Sequence, residues 1–192
     1  MTPHHFLIKR AQFLKTTLKN GGGFTLIEIL VYIAVLAMII LAASSFFLWT
    51  NRLNTKGKAM REALDNARSA MEKMSYEIKE AKSIYTPTSI FSASSGQLSL
   101  ETKKYLPEGE MSTFIDFYIC ENQLCLKKEG IDPIALISDR VEIKNLELNL
   151  VATTSTLPSI QINLKVDYKN PKNRPELQAS ANLSSTVSLR SY

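Results

Sequence analysis

With 192 residues, the chain has room for one modest domain beyond any targeting or membrane segment. Its 45% apolar and 21% charged content excludes a disordered polymer. The formal charge is +5, but Lys9, Arg10, Lys15 and Lys19 all precede Gly21 and no Asp or Glu does. Taking these four from 23 basic residues leaves 19 against 18 acidic ones, about +1, too weak a field to point to nucleic acid as a partner. The two histidines, His4 and His5, also lie in this basic stretch. If that stretch is removed, no Ser-His-Asp or Cys-His site can be built from the remainder. The chain has no glycine-rich phosphate loop, and a lone Cys-x4-Cys pair falls short of a zinc set.

From Phe24 to Trp49 the chain is almost continuously apolar, interrupted by Thr25, Glu28, Ser44, Ser45 and the polar edge of Tyr32. About 25 residues at ~1.5 Å rise give nearly 40 Å of helix, enough to cross a bilayer with some tilt. Basic residues before it predict a cytoplasmic near side, and Trp49 with Arg52 forms a far-side interface anchor. A plain single-pass anchor, a secretory signal cut near Ala42-Ala43-Ser44 and a buried helix of a soluble domain all compete for this segment. The signal reading is weakened by Phe46-Phe47-Leu48-Trp49, which continue the apolar run, and the soluble reading by its length. Glu28 fits none of them, because a charge near the bilayer centre costs on the order of 3 kcal/mol or more and demands a partner.

Beyond the apolar run, Met60, Leu64, Ala67, Met71, Met74, Ile78 and Ala81 recur at helical spacing, predicting an amphipathic continuation packed on the protein's own sheet. A short heptad coil is the alternative. Arg61 with Asp65, Arg68 with Glu72, and Lys73 with Glu77 are i, i+4 charge pairs assigned to the wet side. Unbroken from Phe24 to Ser83, this helix would reach ~90 Å, with Gly57 a candidate bend or melting point.

After Tyr85-Thr86-Pro87 the pattern turns to alternation. A strand is expected over Gln97–Leu100, and a hairpin over Phe114–Cys120 and Leu124–Lys128 around Asn122-Gln123. Val141, Ile143, Leu146, Leu148 and Leu150 alternate with a phase slip near Asn145, as at a bulge. Ile160 to Tyr168 alternates strictly, and a last strand is read from Leu177, Ala179, Ala181, Leu183, Val187 and Leu189. The fold class expected is α+β, a long N-terminal helix covering an antiparallel β-sheet head. With a two-residue Asn122-Gln123 loop, Cys120 would face Cys125 at a non-hydrogen-bonded position with Cα atoms ~4.5 Å apart, permitting a disulfide outside the cytoplasm. Two reduced strand cysteines are the alternative. Glu108, Glu110, Asp132, Asp139 and Glu142 are candidate calcium ligands, but they are scattered along the chain, and solvated surface carboxylates are the better reading. No metal or other cofactor is therefore expected.

Gly23-Phe24-Thr25-Leu26-Ile27-Glu28 resembles the processing motif of type IV prepilins and type II secretion pseudopilins. The resemblance implies cleavage after Gly23 by a prepilin peptidase and N-methylation of the new terminus, Phe24. It makes Glu28 the assembly carboxylate that attracts the terminal ammonium of a neighbouring subunit; pairing with its own Phe24 amine is the alternative. Tyr118 with Leu126-Lys127, Asp139-Arg140-Val141 and Thr186-Val187-Ser188-Leu189-Arg190 are more faintly similar to J-type minor pseudopilins and related minor pilins.

The organisation expected is a removed leader over 1–23, a transmembrane assembly helix over 24–50, its amphipathic continuation over 51–85 and an exported head over 86–192. The implied function is that of a non-enzymatic structural subunit of a pilus-like or secretion filament. Its implied partners are other pilin or pseudopilin subunits, the peptidase and N-methyltransferase, an inner-membrane assembly platform and the lipid bilayer. The competing class is a solitary membrane-anchored head that binds something outside the cell.

Overall fold

Helix α1 runs from Leu26 to Glu80 in the computed structural model, which describes residues 23–104, 106, 108–151 and 157–190. The basic leader thus lies outside the described residues, apart from Gly23. The chain divides into two units, one ending at Leu48 and the other beginning at Trp49.

In the first unit, Leu, Ala and Met are good helix formers, and every apolar side chain from Phe24 to Leu48 is exposed. Nothing polar breaks the helix, because Ser45 turns its hydroxyl back onto the Leu41 carbonyl at 2.9 Å. A helix this long and apolar, with none of its apolar window buried in protein, meets the requirements of a membrane span.

In the second unit, eight strands form two antiparallel sheets. The first has five, in chain order: β1 (Ser83–Ile84), β2 (Leu98–Thr102), β3 (Thr113–Cys120), β4 (Gln123–Lys128) and β5 (Ile134–Ala135). The second has three, also in chain order: β6 (Val141–Val151), β7 (Ser159–Tyr168) and β8 (Ser180–Ser188). The phase slip of the sequence is a register shift between Ile143 and Asn145, which lets both halves of β6 turn leucine and isoleucine inward. The loop before β2 joins the two sheets. Ser92 and Gly96 donate backbone N–H groups to the carbonyls of Leu148 and Leu146, and Leu146 donates to Ser94. A Cβ at Gly96 would stand 2.8 Å from the Leu146 carbonyl oxygen, so only glycine permits this approach.

The amphipathic part of α1 joins one core with both sheets. Its buried face differs from the expected stripe. Ala59, Ala63, Ala67 and Ala70 are all at most 2% exposed, whereas Met60 is 47% exposed and Leu64 only partly buried. Burying the long methionine would have held the helix off the sheets. Gly57 does not interrupt the helix.

Two further expectations are corrected. Leu177 belongs to a single 3-10 turn, Pro175–Leu177, rather than to the last strand, because proline starts that turn well. Glu77 is not on the wet side. It is 1% exposed, held by Lys73 Nζ at 2.6 Å through Oε1, while Oε2 has no protein partner. A buried carboxylate that loses its cation is left badly solvated, whereas an apolar isostere removes the problem altogether. Lys73→Ala is therefore expected to lower stability by about 1–3 kcal/mol. Glu77→Leu should cost less than that or raise stability. Thermal melts of the detergent-solubilised chain check the order, and Glu77→Leu proving the worse variant would contradict this account.

Candidate functional site

The first turn of α1 is built around Thr25. Its Oγ1 accepts the Glu28 backbone N–H at 3.3 Å and its carbonyl accepts that of Ile29 at 3.2 Å, so Thr25 is the N-cap. Thr25-Leu26-Ile27-Glu28 thereby has the threonine-to-glutamate spacing of a capping box, with the carboxylate near the positive end of the helix. Gly23 and Phe24 lie just before the helix, both exposed. The scissile bond expected between them therefore sits in exposed chain outside the helix, which a peptidase can reach without unwinding a turn.

Glu28 does not close the box onto Thr25. Its Oε1 accepts the Tyr32 hydroxyl at 2.9 Å, one turn further along. The Phe24 ring meets the Tyr32 ring edge-to-face, with centroids 6.4 Å apart and planes at 75°. Phe24, Glu28 and Tyr32 thus occupy one strip of the helix surface at i, i+4 and i+8. Sequence reasoning noted Tyr32 only as an interruption; the i, i+4 spacing from Glu28 was the signal that could have assigned it. A carboxylate with one oxygen on a phenol keeps a second oxygen for a cation, and the amine freed at Phe24 is the cation that cleavage would create.

In the second unit, Cys120 and Cys125 are joined as a disulfide with Cα atoms 5.9 Å apart. The pairing differs from expectation. Cys120 faces Gln123 and Cys125 faces Tyr118, so the cysteines are diagonal neighbours on one face of the β3–β4 hairpin. The reason is the turn. Glu121 and Asn122 both take positive φ, 49° and 62°, and so form the two-residue loop whose twist matches antiparallel strands. That loop sits one residue earlier than Asn122-Gln123. The Asn122 carbonyl then accepts the Ile143 backbone N–H at 2.7 Å, tying the hairpin tip to β6.

The five acidic residues considered for calcium are not brought together, and no group of three or more potential metal ligands occurs among the described residues. A cavity of about 630 Å³ at the C-terminal end of α1 is bordered by Glu80, Lys82, Lys103, Lys104 and Arg190. Glu80 bonds Arg190 at 3.1 Å and approaches Lys104 at 3.5 Å, while Lys82 bonds Glu101 at 2.6 Å. Lys104 also donates to the Tyr76 hydroxyl, which with Glu80 holds its ammonium above the usual lysine range. Lys82 and Ser83 hold the Glu101 carboxyl below the usual range. These are surface ion pairs, with Glu80 shared between two cations, that fasten the end of α1 and the β1–β2 edge.

Comparison with known proteins bears on the first unit. Residues 18–44 match the family described as the prokaryotic N-terminal methylation motif. No curated protein and no solved structure matches the chain. The matched segment contains Gly23, Phe24, Thr25, Glu28 and Tyr32 and continues well into the apolar helix. Over these residues the chain is similar to the N-terminal segment of type IV prepilins and pseudopilins.

Proposed function

We propose that this protein is a structural subunit of a type IV pilus-like or type II secretion filament, with the minor, tip-proximal place that its J-type resemblance implies. It is cut between Gly23 and Phe24, methylated at Phe24, held in the cytoplasmic membrane with its β-rich head outside, and assembled through α1. The observation that carries this reading is the strip of Phe24, Glu28 and Tyr32 at the start of an exposed apolar helix. Glu28 is the anion for the ammonium of a neighbouring subunit. In low dielectric such a pair is strong, and each charge relieves the desolvation of the other. Tyr32 fixes the carboxylate rotamer in advance, so that docking need not order it.

Processing is tested by intact mass and N-terminal sequencing of membrane-extracted protein from a host that carries the peptidase. The expected terminus is N-methylated Phe24. A terminus near Ser45, or an uncut membrane form, would remove the filament reading and leave the solitary anchored head.

The assembly role is tested by substitution. Glu28→Ala should leave cleavage and insertion largely intact while lowering incorporation into filaments about tenfold or more. Tyr32→Phe removes one intramembrane hydrogen bond and should lower incorporation by roughly threefold to tenfold. Co-purification with partner subunits measures both, and wild-type recovery of Glu28→Ala would end the assignment.

We propose further that the Cys120–Cys125 bond is retained in the exported head. Its loop is short, so its contribution to stability is small and its effect is local, holding the turn that reaches β6. Thiol labelling of denatured, unreduced protein from the native host should leave both cysteines unlabelled; full labelling of both would refute the bond.

A further inference from the structure

Sheet edges expose unpaired backbone groups, and folded proteins blunt them by shortening the strand, charging it or covering it. Three of the four edges here are treated in this way. β1 and β5, the margins of the first sheet, have two residues each. The free side of β6 is covered by the loop through Ser92, Ser94 and Gly96 and by the Asn122 carbonyl. β8 is different. It has nine residues, Ser-Ala-Asn-Leu-Ser-Ser-Thr-Val-Ser, with no charge, no proline and no bulge in its pairing with β7. No backbone hydrogen bond is made from its outer side among the described residues.

The strand is also nearly symmetric about Ser184. Counting outwards, Asn182 matches Thr186, Ala181 matches Val187 and Ser180 matches Ser188, while Leu183 stands opposite Ser185 as the one unlike pair. Ala181 and Val187 are buried, at 5% and 4% exposure, while Ser180, Asn182, Ser184, Thr186 and Ser188 are exposed. An antiparallel copy centred on Ser184 would therefore set exposed polar residues against exposed polar residues and buried Ala181 against buried Val187, with half-buried Leu183 facing Ser185. No charge would oppose another.

We propose that β8 is a self-association edge: two copies of this chain pair β8 with β8, antiparallel about Ser184, so that two three-stranded sheets become one of six strands. A single strand pair buries too little to hold a dimer in dilute solution. Anchoring in one membrane raises the effective concentration of the second head and makes a weak edge sufficient. The inference goes beyond the assembly of α1 and does not depend on cleavage at Gly23.

Cysteine scanning of the full-length chain in native membranes tests it, with wild type as background and the exposed Lys172→Cys as control. Directly opposed residues in such a pair have Cα atoms about 4.5–5.5 Å apart, within reach of a disulfide. Ser184→Cys should give, under mild oxidant, at least about fivefold more covalent homodimer than Lys172→Cys. Asn182→Cys and Thr186→Cys should each fail alone, because each would face the other position, with its own copy about 13 Å away along the strand. Co-expressed, they should cross-link to each other. Ser184 Oγ bonds Asn163 at 2.6 Å, so Ser184→Cys loses one surface contact. Should that variant misfold, the mixed Asn182→Cys and Thr186→Cys pair decides alone. Dimer no greater than the control, cross-linking to a different subunit, or equal cross-linking of Asn182→Cys by itself would each overturn the proposal.

Discussion

The head depends on how closely α1 lies to its sheets. Ala59, Ala63, Ala67 and Ala70 present only methyl groups to the core, so the helix contributes little volume of its own there. The sheets supply the bulk, with Phe117, Leu98, Leu100, Leu126, Leu146 and Ile160 all at most 1% exposed. Neither sheet is large, and small sheets are not stable without something covering the apolar face. One helix serves both, lengthening its contact with Met71, Met74 and Ile78 towards its end. The same face admits Glu77, which is tolerated because Lys73 lies one turn back and reaches water with its own head group.

Much of this was legible in the sequence. The strands from Val141 to Tyr168 announce themselves by strict alternation, and even the slip at Asn145 shows because a bulge moves the apolar phase by one residue. The helix was equally plain, but its buried edge was not. Alanine and methionine both count as apolar, and periodicity cannot say that the smaller one wins where two backbones must approach; Met60 and Ala59 exchange roles for that reason. Glu77 was misplaced because charge pairs are assigned to solvent by default. The turn after Cys120 was displaced by one because glutamate rarely adopts positive φ, and only the tertiary bond from Ile143 to the Asn122 carbonyl shows what position the turn must hold. Strands of two residues, such as β1 and β5, carry too few positions to alternate at all.

At the other end of the chain, motif and physics explain different parts of one site. Family resemblance singles out Gly23, Phe24 and Glu28 from a string of letters. The structure adds the local contacts around those letters: the Thr25 cap that starts the helix, and the Tyr32 phenol that bonds the Glu28 carboxylate. Neither residue is charged and neither would be chosen on chemistry alone. Their value comes from the 3.6-residue period, which brings Phe24, Glu28 and Tyr32 onto one strip.

Both sheets keep their strands in chain order, β1 to β5 and β6 to β8. Every ladder therefore closes a short loop, and each sheet can assemble from a contiguous stretch without waiting for distant sequence. Low sequence separation of this kind favours rapid β folding, since little chain entropy is lost before contacts form. As the chain emerges from its N-terminal end, the first sheet can dock on the amphipathic part of α1 before the second is complete. A step that must wait is the seam at Gly96, where residues fifty positions apart meet backbone to backbone between Gly96 and Leu146. A later closure follows at the end of the second unit, where the Arg190 backbone N–H meets the Lys79 carbonyl, 111 positions away.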